Sequence, residues 1–348
     1  MALFARGLAE EATAMGAKRT GVLLVNTGSP SAPTPAAVKR YLAQFLMDPN
    51  VRPMPAAAWW IILHAFILPK RQHASAAKYR GIWTVEGSPL LAAAAHLASR
   101  TESLLRTRLG SEAPIVRSAM SYGEPGVASV LRDFRASGVE CLIAIPLYPQ
   151  SARSTSGSVM CRIRAALKAM CWEPGLIEVS SYAEDPRYLD AVAESVRVAG
   201  FDSALDRIAF SFHSVPRPDV EVGDTYPIQV EGTCRELAER LGVPTGRWLH
   251  GYQSPFEDNR TWTDPFTINL LDDPFADGAR DFYLVCPGFS LDCLETLYDV
   301  QHEFRPLVER AASAAPGGKD AHRFVYVPCL NAGDAQVRLI VSLIESVH

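Results

Sequence analysis

Residues 207–216 read R-I-A-F-S-F-H-S-V-P, and residues 22–30 read V-L-L-V-N-T-G-S-P. Each stretch is an apolar run of strand length that leads into a proline-ended turn. A second pair repeats the arrangement, with C-L-I-A-I-P at 141–146 and F-Y-L-V-C-P at 282–287. Such runs alternate with amphipathic helical patterns along the chain, which is typical of parallel α/β folds. The sequence therefore predicts an α/β fold of two similar halves, each with a parallel sheet flanked by helices.

The turn A-M-C-W-E-P-G at 169–175 interrupts a helical pattern and is the predicted junction of the halves. We expect an N-terminal extension at 1–19, a first half at 20–172 and a second half at 173–348, whose last helix can pack back on the first half. Open α/β sheets bind ligands beyond the carboxyl ends of their strands. The site is therefore expected in a cleft between the halves.

Composition restricts the class of protein. The chain has 348 residues, 48% hydrophobic and 21% charged, with a formal net charge of −4, which predicts a folded protein and argues against nucleic-acid binding. No apolar run approaches the ~20 residues needed to span a bilayer, and residues 1–20 lack the apolar core of a secretory signal. A cytoplasmic location is the expectation.

The seven cysteines form no C-x-x-C motif, and their number is odd. This pattern favours reduced, mainly structural thiols over a disulfide framework or a closed zinc site. An iron–sulfur cluster built from cysteines that meet only in the fold is the alternative, which no local ligand spacing supports.

His213 ends the strand at the start of the second half. A neutral imidazole can accept a proton or ligate a metal, and a loop at a strand end can present it to a cleft. The alternative is a histidine that only hydrogen-bonds the turn.

Asp292, Glu295, Asp299 and His302 follow one another at steps of three, four and three residues. At these steps they would share one face of a helix over 292–303, in a stripe able to move protons or hold a cation. Acidic residues in a first helical turn also complement the helix dipole without any further function.

The apolar stretch W-W-I-I-L-H-A-F-I-L at 59–68 is too short to span a membrane. It is either a buried core helix or an apolar lip that holds a hydrophobic ligand or touches a lipid surface. Lys70 and Arg71 follow it, where they could meet carboxylates or lipid phosphates.

The hydroxyl-rich loop 146–158 could cap a helix or hold an anion. The chain has no P-loop motif, no G-x-G-x-x-G after its first strand and no G-x-S-x-G elbow. Nucleotide-binding, dehydrogenase and α/β-hydrolase functions therefore lose their main support.

From about Thr20 to Asn331 the sequence resembles the ferrochelatase family. The matching segments, in order, are L-L-V-N-T-G-S-P, Y-R-G-I-W-T-V-E-G-S-P-L, P-L-Y-P-Q-S, F-S-F-H-S-V-P with G-D-T-Y-P-I-Q, and D-C-L-E-T-L. The resemblance implies two Rossmann-like halves around a porphyrin cleft. It implies an enzyme, a lyase that acts as a metal chelatase.

The resemblance also implies a set of site residues. His213 and Glu295 match the family's essential histidine and glutamate, which act in catalysis and can contact the metal, with Asp292 and Asp299 as a relay. The residues expected to bind or border the porphyrin are Thr27, Arg71, Tyr79, Ser88, Tyr122, Tyr148, Ser254, Trp262 and Phe289. Residues 59–68 match the lip of the cleft, which in membrane-associated relatives touches the bilayer.

Three features depart from the family pattern. Cys293 stands where some relatives have a histidine beside the essential glutamate, and Ser121 replaces an arginine found in some relatives. The chain ends at His348, without the cysteine-bearing extension that holds a [2Fe–2S] cluster in animal relatives. We therefore expect no cluster and no tightly bound cofactor.

The implied activity is insertion of ferrous iron, a substrate, into protoporphyrin IX, with release of two protons, as the last step of haem biosynthesis. V-N-T-G-S-P and W-T-V-E-G-S-P look like the protoporphyrin-using bacterial type. Alternatives are an enzyme for coproporphyrin III and a non-catalytic tetrapyrrole carrier, against which the retention of His213 and Glu295 speaks. The protein is expected in the cytoplasm, with peripheral membrane contact through 59–68 as a further expectation, and no nucleic-acid partner.

Overall fold

The computed structural model describes residues 19–256 and 258–347, so the expected N-terminal extension lies outside the described residues except for Arg19. Its strands are β1 Thr20–Gly28, β2 Ile115–Tyr122, β3 Cys141–Pro146, β4 Gly175–Glu178, β5 Arg207–His213, β6 Trp248–Gln253, β7 Asp281–Val285 and β8 Arg323–Val327. They form two parallel sheets in the orders β2-β1-β3-β4 and β6-β5-β7-β8. Because the two orders are equivalent, the predicted fold of two similar α/β halves is confirmed.

The helices flank these sheets. They are α1 Pro35–Leu46, α2 Ala56–Ile62, α3 Leu68–Ile82, α4 Pro89–Leu109, α5 Val127–Ala136, α6 Ser158–Ala169, α7 Pro186–Val198, α8 Arg217–Glu221, α9 Tyr226–Leu241, α10 Arg305–Ala314 and α11 Asp334–Glu345. Three π-helical segments, at Leu63–Ile67, Arg153–Gly157 and Glu295–Phe304, lead directly into α3, α6 and α10.

The central strands form where the apolar runs are continuous, because a parallel sheet covered on both faces buries every side chain. Val22, Leu23, Leu24 and Val25 of β1 are fully buried. The structure places β1 and β5 in the middle of their sheets, each between two parallel neighbours.

Helix starts follow the proline signals. Thr34 accepts a hydrogen bond from the Ala37 amide before Pro35, and Asp185 accepts one from the Arg187 amide before Pro186. A proline in the first turn loses no helical hydrogen bond, so these positions fix the chain direction after a strand.

The junction lies later than predicted. β4 pairs in parallel with β3, from Cys141↔Gly175 to Ala144↔Glu178, so the first sheet continues to Glu178, beyond the expected boundary at 172/173. The turn at 169–175 is an ordinary helix-to-strand connection within the first half, which explains why its composition resembled a linker.

Each half lends a helix to the other. α7, after β4, packs on α9 of the second half, and α11, after β8, packs on α4 of the first half. A single hydrophobic core therefore contains Leu24 of the first sheet, Phe210 of the second sheet and Ile340 of α11.

Candidate active site

A cleft that is partly open to solvent lies between the halves at the carboxyl ends of the central strands. The predicted residues that line it are Thr27, Tyr79, Ser88, Tyr122, Tyr148, His213, Trp262, Phe289 and Glu295. Arg71, Ser254, Asp292 and Asp299 are not among its lining residues. The fold thus gathers side chains that are up to 268 positions apart in sequence, from Thr27 to Glu295.

Thr27 is positioned by the residue that follows it. Gly28 has φ +110°, and a Cβ atom there would lie 1.9 Å from the Tyr122 carbonyl oxygen, so only glycine fits. This turn lets the Thr27 hydroxyl hydrogen-bond the Tyr148 hydroxyl. The two side chains form one side of the cleft in the first half.

His213 ends β5 and enters the cleft from the second half, half-buried. Its Nδ1 donates to the Ser214 carbonyl at 2.6 Å, because a carbonyl oxygen can only accept. Nε2 is therefore the nitrogen with a free lone pair. The same imidazole therefore hydrogen-bonds the turn and lines the cleft.

Glu295 is the first residue of the π-helix Glu295–Phe304. The Cys293 thiol donates to its Oε2 at 3.0 Å, and its backbone carbonyl accepts from Gln253 Nε2 at 3.3 Å. Burial raises the pKa of the Cys293 thiol well above its ordinary value, which keeps the sulfur protonated as a donor. The carboxylate is thus held at the cleft wall by the residue at which the sequence departs from some relatives.

Asp292 does not belong to the acidic stripe. It is 7% exposed, and its carboxylate accepts hydrogen bonds from Thr296, from Tyr326 at 2.7 Å and from Asn331 at 2.7 Å. It joins the π-helix to the loop after β8 and is not among the residues that line the cleft. The stripe prediction is wrong here because 292 precedes the helix, so helical spacing does not apply to it.

Asp299 lies behind Glu295, outside the cleft. Its carboxylate accepts hydrogen bonds from Lys78 Nζ at 3.0 Å and from Ser254 Oγ at 3.4 Å. Ser254, which was expected to border the porphyrin, therefore contacts this carboxylate and does not line the cleft. The pKa of Asp299 is raised to about 6, mainly because the carboxyl is buried. The hydrogen bond from Lys78 lowers this pKa, and the charge of Glu295 raises it further. In this π-helix, residues four apart lie on one side, so Glu303 follows Asp299 in the acidic stripe where His302 was expected. Glu303 also accepts a hydrogen bond from Lys78.

Aromatic side chains that the sequence reasoning missed complete the cleft. Tyr41 and Phe45 lie one turn apart on α1, and Phe256 follows β6. Phe45 is 5.0 Å from the Tyr122 ring and 5.9 Å from the Phe256 ring, so the two halves meet through aromatic contacts. The i, i+4 spacing of the α1 pair was a usable signal, whereas Phe256 lies in a loop with no periodic pattern.

The polar groups behind these rings differ in whether they have a partner. The Arg162 guanidinium lies 4.3 Å from the Tyr122 ring centroid and pairs with the buried Asp48 at 3.1 Å. Burial raises the pKa of the Tyr79 and Tyr122 hydroxyls, so both remain neutral. Ser121 is buried, and its hydroxyl has no hydrogen-bond partner among the described residues.

The stretch 59–68 has one face in the hydrophobic core and one face exposed to solvent. Trp59, Leu63 and Leu68 are buried, whereas Trp60, Ile61 and Phe66 are 53%, 59% and 63% exposed. No helix in the described part of the chain is long and apolar enough to cross a membrane. Arg71 lies on the continuing helix α3 but outside the cleft lining.

Within residues 19–256 and 258–347, no three His, Cys, Asp or Glu side chains form a group that could hold a metal ion. None of the seven cysteines, all of which lie in these ranges, forms a disulfide bond, and Cys161 and Cys171 are exposed. Among the described residues that line the cleft, those of a type that ligates metals are His213, Cys293 and Glu295. The imidazole and the carboxylate are the harder ligands of the three and suit brief contact with a divalent ion.

Residues 19–348 match the model of the ferrochelatase family. A ferrochelatase from Azoarcus sp. is 42% identical, with 90% of this chain and 83% of that protein covered. A ferrochelatase from Yersinia pestis is 37% identical, with 94% and 98% covered. One from Thioalkalivibrio sulfidiphilus is 39% identical, with 93% and 85% covered.

Solved structures share the fold at low identity. SirB from Bacillus subtilis with Fe³⁺ has a TM-score of 0.54 at 12% identity, covering 94% of this chain and 95% of that one. CbiX, titled the terminal enzyme for biosynthesis of sirohaem in denitrifying bacteria, has a TM-score of 0.50 at 13% identity, covering 94% and 98%. With these folds, and with full-length relatives at 37–42% identity, the chain belongs to the ferrochelatase family, the metal chelatases of the lyase class.

Proposed function

We propose that this ferrochelatase of haem synthesis inserts ferrous iron into protoporphyrin IX, forming protohaem and releasing two protons. The observation that carries the proposal is the joint placement of His213 and Glu295 in one cleft lined by aromatic rings. Family membership supports iron and a porphyrin as the substrates and speaks against the alternative of a non-catalytic carrier.

The cleft residues suit the physical difficulty of the reaction. A flat free-base porphyrin keeps its four nitrogens, two of them protonated, in the plane of the ring. Insertion requires the lone pairs to tilt out of that plane and the two protons to leave. A rigid wall of packed aromatic residues such as Phe45, Tyr122 and Trp262 can bind a bent ring better than a flat one, which lowers the barrier by differential binding.

His213 is the proposed base or iron ligand. Its Nε2 lone pair is available because Nδ1 is engaged by the Ser214 carbonyl, which also fixes the ring orientation. Glu295 is the proposed second group, accepting protons or guiding the metal, with Asp299 and Glu303 behind it as the outer part of the path.

The charge of the cleft favours protoporphyrin IX over coproporphyrin III. Arg260 is the cationic side chain among the described lining residues, which otherwise carry hydroxyl, amide and aromatic groups. Protoporphyrin IX has two propionates and coproporphyrin III has four, so the second ligand would bring twice the negative charge to a site with little positive charge.

The test is a side-by-side comparison of metallation rates on the two porphyrins under strictly anaerobic conditions with ferrous iron. We expect kcat/KM for protoporphyrin IX to exceed that for coproporphyrin III by at least about tenfold, the effect of roughly one unpaired carboxylate. A preference for coproporphyrin III would contradict the proposal, and an absence of turnover on both would contradict the activity itself.

We further propose that Trp60, Ile61 and Phe66, which we call the lip patch, contact a membrane surface from the cytoplasmic side. Three large apolar side chains exposed within seven residues are unusual on a soluble surface, and Lys70 lies close by in sequence to meet lipid phosphates. Contact at this place would put the cleft near a source of apolar porphyrin.

A further inference from the structure

Arg260 lines the cleft, and the proposed reaction gives its side chain no chemical role. The guanidinium is held on one side by Asp258, whose Oδ2 accepts from Nε at 2.8 Å and from Nη2 at 2.5 Å. Nη2 also donates to the Val51 carbonyl at 3.1 Å, 209 positions away in the first half. The side chain is 18% exposed, so these contacts fix it in a largely buried position. Arg260 therefore ties the second half to the first beside the cleft.

The same ion pair surrounds the indole of Trp262. Arg260 Cζ lies 5.0 Å from the centroid of the Trp262 ring, within cation–π range, and Asp258 Oδ1 accepts from the indole Nε1 at 3.3 Å. Trp262 is buried in the cleft wall. Because one ion pair holds both the face of the indole and its N–H, the ring has little freedom to rotate.

Trp262 is also fixed relative to the proposed base. The residue after it is Thr263, whose carbonyl accepts from Ser214 Oγ at 2.9 Å. Ser214 directly follows His213 in sequence, so the loop that carries the indole is bonded to the loop that carries the imidazole. The side chain of Arg260 adds the first half to this unit.

The charge of Arg260 is already balanced within the protein. The Asp258 side chain is only 10% exposed and pairs with the guanidinium at hydrogen-bond distance, so the pair brings no net charge to the cleft. A residue that binds a porphyrin carboxylate gains from an unpaired guanidinium, because a paired one attracts a second carboxylate only weakly. The geometry suits holding the wall better than binding a charged substituent.

We propose that Arg260 is a positioning residue for the bending of the porphyrin. It holds the Trp262 indole at a fixed place relative to the first half, so that the cleft accepts a bent macrocycle better than a flat one. A less rigid wall would yield to a flat ring, and the differential binding that lowers the barrier would be lost. The inference rests on the proposed function, in which iron enters a bent porphyrin.

The first experiment compares the affinities of two porphyrins by fluorescence titration without metal. Protoporphyrin IX is flat, whereas N-methylprotoporphyrin is bent because its methyl group crowds the centre of the ring. The unsubstituted protein should bind the bent ring more tightly, and Arg260→Met should reduce that preference by at least about tenfold, the scale of one hydrogen bond to a charged group. Arg235→Met, which removes an exposed arginine of α9, is the matched control and should keep the preference.

Arg260→Lys separates geometry from charge. An ammonium keeps the charge but cannot contact Asp258, the Val51 carbonyl and the indole face at once, so this variant should show most of the loss. An undiminished preference in Arg260→Lys would overturn the proposal. So would an equal weakening of both porphyrins in Arg260→Met, because a residue that binds a carboxylate contributes equally to the flat and the bent ring. If Arg260→Met does not fold, Arg260→Gln is measured and interpreted in the same way.

Asp258→Asn tests whether the effect passes through the ion pair. Asparagine can still accept from the indole N–H, but it lacks the charge that fixes the guanidinium. This variant should also lose preference for the bent ring. Adding Arg260→Met should lower the preference by less than about twofold further, since the two groups act as one unit. Fully additive losses would contradict the proposed arrangement.

The second experiment measures metallation of protoporphyrin IX with ferrous iron. In Arg260→Met, kcat should fall about tenfold while KM stays within about threefold, since the lost interaction acts on the bent ring. A higher KM at unchanged kcat would overturn the role in bending. Normal turnover with unchanged preference in Arg260→Met rejects only the role of Arg260, whereas no turnover by the unsubstituted protein rejects the proposed function.

Discussion

His213 can accept a proton or a metal through Nε2 alone, because Nδ1 donates to the Ser214 carbonyl at 2.6 Å. His213→Ala should leave porphyrin binding within a few-fold but reduce the metallation rate by at least about 100-fold, the usual effect of removing a positioned base. Porphyrin fluorescence gives the affinity, and anaerobic turnover gives the rate. His96→Ala, at an exposed histidine on α4, is the control. Near-normal turnover of His213→Ala would remove this residue from the mechanism.

Glu295 differs from the aromatic lining residues in that it can carry charge. Glu295→Gln keeps the shape and can still accept the Cys293 hydrogen bond, but it loses the negative charge. We expect kcat to fall about thirtyfold, or about 2 kcal/mol in barrier, with porphyrin affinity almost unchanged. Glu112→Gln, at an exposed position outside the cleft, should behave as the unsubstituted protein. Lost porphyrin affinity at normal kcat would make Glu295 a binding residue instead.

At the scale of elements, the segment from α2 into α3 combines a buried face with an exposed apolar face. Its buried face holds Trp59, whose indole nitrogen donates to the Leu46 carbonyl at 2.6 Å, so Trp59 serves folding. The exposed face is the lip patch. The two roles can therefore be separated by substitution.

Changing Trp60, Ile61 and Phe66 together to serine should leave the fold intact, since all three are more than half exposed. Liposome association should fall by at least about tenfold because the apolar area available to lipid is removed. The measurement is co-sedimentation with vesicles containing anionic lipid. The matched control changes Val198, Val222 and Ile228, which are 79%, 74% and 72% exposed, to serine. Equal loss in both variants, or none in either, would contradict membrane contact through the lip patch.

At the scale of the whole molecule, the exchanged helices α7 and α11 make the two halves one folding unit. α11 contributes Ile340, fully buried, to the core shared by both sheets, and Arg108 of α4 pairs with Glu345 of α11 at 2.8 Å. The cleft geometry therefore depends on packing at the far side of the sheets, since both walls rest on the same core.

Ile340→Ala should lower the free energy of unfolding by about 2–5 kcal/mol, the cost of a cavity at a buried isoleucine. Urea unfolding should remain a single transition whether it is followed by tryptophan fluorescence or by circular dichroism. Ile228→Ala, at a 72% exposed position, should change stability by less than about 0.5 kcal/mol. Separate transitions in Ile340→Ala would show that the halves fold independently.

The sequence by itself determined the fold class and predicted that Thr27, His213 and Glu295 lie in one cleft. Proline-ended apolar runs specify buried parallel strands, because a strand covered on both faces needs a continuous apolar sequence and a turn at its carboxyl end. His213 and Thr27 close such strands, so their place in the cleft follows from local pattern. The motif around Glu295 is equally local, and the resemblance it carries led to the family.

Tertiary structure decided the features that depend on long-range contacts. The strand pairing of Gly175–Glu178 moved the junction, because a short run has no strand signal until it has a partner. Because Glu295–Phe304 is a π-helix and not an α-helix, Glu303 and not His302 follows Asp299 on the acidic face. The sequence did not reveal this, since the spacing of the acidic residues fits either type of helix. The Lys78 contact with Asp299 spans 221 positions, and only folding brings that ammonium and carboxylate together.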